Sequence, residues 1–352
     1  MFYRENGQFK TSYAADQAIF PILLDRIAIM AILLVAFLVV PLVATQYVYT
    51  GILIPFLILA LATIGLNLLT GYCGQVSLGT GAFMAVGAYA AYNLVLRVPG
   101  MNLLVAFALA GGISALVGVL FGLPSLRIKG FYLAVATLAA QFFIDWVFIR
   151  IKWFTNYATN ATAPELLLFG LPLDSAMRRY LVTLAIVVVM ALIAKNLVRG
   201  ATGRAWMAVR DMDIAAEIIG IRLLRTKLIA FAVSSFYCGV AGALWGFMHL
   251  GAWEPLTFDV NRSFQVLFMV IIGGVGSILG SFLGAAFIFA VPILINQVPA
   301  ALGVPISTAL SSHLEAMIFG AMIIFFLIVE PHGFARLWQL GKEKLRLWPL
   351  PH

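Results

Sequence analysis

The chain has 352 residues, 63% of them hydrophobic and 10% charged, against about 45–50% apolar and about 25% charged in soluble globular domains. That composition speaks against a soluble enzyme. The net charge of +8 would suggest nucleic acid beside a soluble protein, but in a membrane protein it follows from basic residues gathered on one side of the bilayer, so no nucleic-acid partner is expected.

Before the first apolar run the chain carries Arg4, Glu5, Lys10, Asp16, Asp25 and Arg26. The apolar region of a cleaved signal is only about 7–15 residues long, so residues 1–26 are expected to remain as a polar arm. From Ile27 to Leu96 there is no Asp, Glu, Lys, Arg or His, a run long enough for about three helical crossings at about 20 residues each. Apolar runs divided by short polar or Gly/Pro breaks predict about ten spans: 27–44, 51–69, 76–96, 103–122, 131–149, 180–197, 228–250, 264–279, 282–298 and 313–329. The fold class is therefore an all-α polytopic membrane helix bundle, with a membrane-spanning body over 27–330 and a tail over 331–352.

An even number of spans puts both termini on one side. Sixteen of the 22 Lys and Arg residues fall on that side and six on the other, so the positive-inside bias predicts that both termini are cytoplasmic. Seven of the sixteen lie between Lys195 and Lys227. Small residues four apart, Gly118/Gly122, Gly242/Gly246 and Gly276/Gly280/Gly284, predict close helix contacts.

Several chemistries lack their residues. No phosphate-binding Gly-rich loop with Lys-Ser/Thr, no nucleophile elbow and no His-Glu-x-x-His occurs. His249, His313, His332 and His352 are too scattered for a metal cluster, and Cys73 and Cys238 cannot make a disulfide framework or a four-ligand zinc site. Both are expected as buried thiols. Asp145, Glu315 and Glu330 fall near span ends, whereas a proton-coupled transporter usually needs a mid-span ionisable group.

Two stretches carry positive information. In the first, Gly71, Gly74, Gly79 and Gly81 crowd an apolar region together with Asn67, Thr70, Gln75, Ser77 and Thr80. Unwound backbone at membrane depth is tolerated only where protein buries it or water reaches it. A broken or re-entrant segment near 71–81 lining a solute path is one reading; a packing face with polar groups bonded across helices is the other. In the second, Ala205, Val209, Met212, Ala216 and Ile219 recur at helical spacing with Arg210, Asp213 and Glu217 opposite, predicting one amphipathic helix over 205–220. Asp211 suits a helix N-terminus and Gly220 a C-terminus. Three acidic residues disfavour an anionic lipid surface, so a protein groove is the expected partner.

These motifs, with Tyr72-Cys-Gly-Gln-Val-Ser-Leu-Gly79, Gly203-Arg-Ala-Trp-Met-Ala-Val-Arg-Asp211, Val270 to Gly280 and Glu330-Pro-His-Gly333, resemble the inner-membrane permease subunit of branched-chain amino acid ABC transporters, the LivM type. The resemblance covers nearly the whole chain after Ile27. It implies a bacterial inner-membrane importer in which this subunit binds no cofactor, while two partner ATPases bind ATP and Mg. Its other implied partners are a LivH-type permease and a periplasmic solute-binding protein. On the path reading of the first stretch Asn67, Gly71, Gly74, Gln75, Ser77, Gly79 and Thr80 would line the solute path, and by the resemblance Val209, Met212, Ala216, Glu217, Ile219 and Gly220 would form the ATPase-coupling helix. Relatives of this type also serve urea, short amides and cyclic carboxylates. A stand-alone secondary transporter or channel, and a scaffold without a pore, are the alternatives from other classes.

Overall fold

The computed structural model describes residues 11–12, 23–125, 131–157, 161–162, 167–168, 171–301, 308–330 and 333–347. Most of the N-terminal arm, residues 126–130 with Arg127 and Lys129, much of the 158–170 stretch and the last five residues lie outside the described residues.

The chain folds into a helix bundle. Helix α1 (Leu23–Leu34) is prolonged by a π-helical stretch, Val35–Val39, and a last turn, Val40–Val43. It is followed by α2 (Ile54–Asn67), α3 (Thr80–Arg97), α4 (Leu103–Ser125), α5 (Phe131–Arg150) and α6 (Ala176–Arg199). Two short helices, α7 (Ala201–Asp211) and α8 (Asp213–Ile218), precede α9 (Leu223–Leu244), α10 (Val260–Gly273), α11 (Ile278–Ala301), α12 (Thr308–Val329) and α13 (Gly333–Leu347). Extended pairing among the described residues is confined to two-residue ladders, Ala161–Thr162 with Ala252–Trp253 and Leu167–Leu168 with Leu171–Pro172.

Eight helices among the described residues are long and apolar enough to cross a membrane. The ten apolar runs each coincide with a helix, the other two being α3 and α12. Burial explains the modest hydropathy of α3: it is enclosed on nearly every side, so its polar Thr80 and Asn93 face protein rather than lipid. Helix α2 is apolar all round and almost wholly buried, as a central helix should be. In α1 the whole apolar window lacks a buried residue, so that helix lies at the periphery.

Glycine sets the central crossing. A Cβ on Gly87 would overlap the Gly239 carbonyl of α9, and one on Gly242 would overlap the Met84 carbonyl of α3, so these two helices touch backbone to backbone. Lys342 of α13 pairs with Asp25 of α1 at 2.8 Å, which brings the two ends of the described bundle to one face.

Three boundaries differ from the sequence reading. The span expected from 76 begins at Thr80, because Cys73–Gly79 is not helical. The division expected near 280 falls at Gly274–Ser277, where Gly274 and Gly276 take positive φ, 122° and 79°. The single helix expected over 205–220 is two helices, separated by Met212 in an extended conformation (φ −159°, ψ 93°). Tertiary contacts impose that break: Trp206 is fully buried with its Nε1 donating to Thr226 O at 3.1 Å, and Val209 is buried behind it. Asp211 closes α7 instead of opening a helix.

Candidate functional site

The break after α2 is built by its own residues. A π-helical stretch, Leu68–Tyr72, ends the helix, and Gly74 at φ +70° turns the chain out of it. The Gly74 amide still reaches Thr70 O at 3.2 Å and the Gln75 amide Leu69 O at 3.0 Å. Positive φ favours glycine at this position.

The chain re-enters helix at Thr80, and the first-turn amides of α3 are satisfied by neighbouring helices. Gly81 N donates to Ser263 Oγ at 2.7 Å and Ala82 N to Gln141 Oε1 at 2.6 Å. The Ser263 hydroxyl also donates to Gln141 Oε1 at 2.9 Å, and Gln141 Nε2 donates to Phe258 O and the Asp145 carboxylate, each at 2.9 Å. Leu78 N donates to Thr137 Oγ1 at 2.9 Å. A helix N-terminus is an anion site only while its N–H groups are free. Here α5 and α10 have taken Gly81 and Ala82.

A second break, Gly274–Ser277, lies against the first. Asn67 Oδ1 accepts the Gly276 amide at 2.8 Å, and Asn67 Nδ2 lies 2.9 Å from Ser277 O and 3.0 Å from Ser281 Oγ. From the other side comes the end of α7. Arg210 Nη1 donates to Gly71 O at 2.8 Å, and Arg210 Nε pairs with Asp211 at 2.8 Å.

Between these elements is a cavity of about 630 Å³. Leu78, Leu133, Ala134, Phe264 and Leu267 supply apolar wall; Arg210, Asp211, Asp213 and Lys227 supply charges of both signs; and Gly74, Gln75, Val76, Val209 and Met212 complete it. Of the seven expected path residues, Gly74 and Gln75 line this cavity. Asn67, Gly71, Ser77, Gly79 and Thr80 are buried in the packing behind it. Of the six expected coupling residues, Val209 and Ala216 face the bundle, whereas Met212, Glu217, Ile219 and Gly220 are exposed. Gly220 (φ +91°) ends α8 in a Schellman turn, its amide bonding Glu217 O at 2.9 Å and that of Ile221 bonding Ala216 O at 3.0 Å. Ile214 and Ile218 join Met212 and Ile219 on an exposed apolar surface.

Sequence reasoning passed over Thr137, Gln141 and Ser263. The available signal was a glutamine seated in the middle of an apolar run. Among the described residues no group of three His, Cys, Asp or Glu could hold a metal ion. Cys73 and Cys238 are free and buried.

The model of the family described as "Branched-chain amino acid transport system / permease component" matches residues 48–327. The LivM permease protein of the high-affinity branched-chain amino acid transport system of Salmonella typhimurium is 29% identical over 81% of this chain and 68% of its own length. Its Escherichia coli counterpart is 28% identical over the same shares. A probable branched-chain amino acid transport permease protein LivM of Methanocaldococcus jannaschii is 24% identical over 68% of this chain and 71% of its own. No solved structure matches.

Proposed function

This chain belongs to the family of permease components of branched-chain amino acid transport systems, and we propose that it forms half of the transmembrane path of a binding-protein-dependent importer for aliphatic amino acids. ATP with Mg is bound and hydrolysed in two partner ATPases; a second, LivH-type permease completes the path, and a periplasmic binding protein delivers the solute. The membrane is the bacterial inner membrane, with both termini and the α7–α8 face in the cytoplasm. Sixteen basic residues on that side support this orientation, and the Asp25–Lys342 pair supports a common face for the two ends.

The observation that carries the choice of solute is the cavity. Its apolar wall suits an aliphatic side chain, and its rim offers a guanidinium and an ammonium beside two carboxylates, as a zwitterion requires. Charges near the mouth compete with water, so they orient a passing solute without trapping it. Neutral urea would use neither half of that pattern.

The test is reconstitution of the full transporter in liposomes with ATP inside and leucine-loaded binding protein outside. Uptake of leucine, isoleucine and valine is expected to exceed that of glutamate and urea. Urea uptake equal to that of leucine would overturn the solute; uptake that persists without ATPases would overturn the importer.

A further inference from the structure

Arg210 does more in this structure than lend its charge to the cavity. It is the penultimate residue of α7, on the face assigned to the ATPases, yet its guanidinium points into the bundle. A helix that stops leaves its last carbonyls without amides to accept from, and at its C-terminus a cation is favoured. Arg210 Nη1 donates to one such carbonyl, Gly71 O, at 2.8 Å. Its stem lies flat on the turn that follows: a Cβ placed on Gly74 would be 3.0 Å from Arg210 Cγ. Nη1 also lies 3.5 Å from where a Cβ of Gly276 would stand, so one guanidinium sits at the junction of both helix breaks. Asp211 holds Nε at 2.8 Å and fixes the direction of the fork.

From this geometry we infer that Arg210 is the positioning residue that ties α7, and with it α8, to the broken segment lining the cavity, so that a displacement of α7–α8 moves Gly71–Gly74 with it. The inference rests on the importer reading above. Arg204 supplies the contrast on the same helix: both residues are exposed, but among the described residues Arg204 bonds the local Arg199 O, at 2.9 Å, and not a residue of the broken segment.

The complete transporter in liposomes, with leucine as solute, tests this through three variants: Arg210→Met, Arg210→Lys and Arg204→Met. Arg210→Met is expected to assemble normally on a sizing column. Stimulation of hydrolysis by leucine-loaded binding protein, and leucine uptake, should both fall by about tenfold or more, the size of one charge-assisted hydrogen bond. Arg210→Lys should recover part of the stimulation, because an ammonium can still donate to Gly71 O. Arg204→Met should stay within about twofold of the unmodified protein, as surface substitutions do. Stimulation and uptake that survive in Arg210→Met overturn the inference, as does an equal defect in Arg204→Met or failure of Arg210→Met to assemble. An unmodified transporter that imports no leucine overturns the functional reading and this inference together; a competent one beside a competent Arg210→Met overturns the inference alone.

Discussion

Asn67 and Gly276 join the two helix breaks of this protein: the Asn67 carboxamide oxygen accepts the Gly276 amide at 2.8 Å from a separation of 209 residues. The same side chain donates toward Ser277 O and Ser281 Oγ, so one buried amide on α2 bonds both backbone and side-chain groups of the second break. Gly71 packs into the same point, where a Cβ would overlap both Asn67 Oδ1 and Gly276 N. The breaks therefore form one structural unit, with the cavity on one side and buried packing on the other.

Asn67→Leu keeps the branched outline of the side chain and removes the bonds. It should lower the stability of the permease by about 1–3 kcal/mol for each group left unpaired, the Gly276 amide first among them. Thermal midpoints of the detergent-solubilised chain by size-exclusion would register this. An unchanged midpoint would mean that the two breaks hold together without Asn67.

Topology can be read at Ile214, which is 67% exposed on α8. With Cys73 and Cys238, both buried, replaced by alanine, Ile214→Cys should react with a membrane-impermeant maleimide in inverted vesicles and not in intact spheroplasts. Labelling in the spheroplasts would place α7–α8 outside and reverse the orientation of every span.

Much of this architecture is legible in sequence because lipid is an undemanding solvent to read. Apolar runs reveal helices, and the clustered glycines at 71–81 reveal that one of them breaks. What fails is whatever depends on a partner far along the chain. The stripe from Ala205 to Ile219 has good helical spacing, yet Met212 is extended because Trp206 and Val209 are drawn into the bundle and Arg210 reaches Gly71. Likewise, Ser77 and Thr80 read as polar groups in a path, but only the fold reveals that they are buried behind the cavity, in a turn whose amides bond Thr137, Gln141 and Ser263.

The exposed apolar surface of α8 leads to a test of ATPase docking. Met212 and Ile219 are 67% and 73% exposed, so Met212→Asp or Ile219→Asp should leave the permease itself folded. In the complex the same charge would be buried without a partner, at a cost of about 3–5 kcal/mol, and the ATPases should no longer co-purify. Ala216→Asp is the contrast, because Ala216 is 2% exposed within the chain and its replacement should destabilise the permease alone. Normal co-purification of the Met212 and Ile219 variants would move the docking surface elsewhere.

The segment from Gly71 to Gly81 allows a last separation, between lining the cavity and supporting it. Gln75 is half-buried on the cavity wall, and among the described residues its Nε2 has a long bond, 3.3 Å, to Cys73 O. Gln75→Ala should therefore leave stability near that of the unmodified chain and slow leucine uptake about fivefold, as expected for one lost hydrogen bond of about 1 kcal/mol to a passing solute. Gly74→Leu forces a branched side chain to φ +70° against Arg210, a strain of about 1–3 kcal/mol. It should stop uptake while the complex still assembles. Gly79→Leu behaves differently, because a Cβ there would stand 2.9 Å from Thr137 O; it must push α3 from α5 and should lower the thermal midpoint before any transport defect can be read. Assembly, midpoint and uptake measured on the same preparations distinguish the three. If Gln75→Ala and Gly74→Leu both transport leucine at the unmodified rate, this cavity is not on the solute path, and the packing reading of the whole segment stands instead.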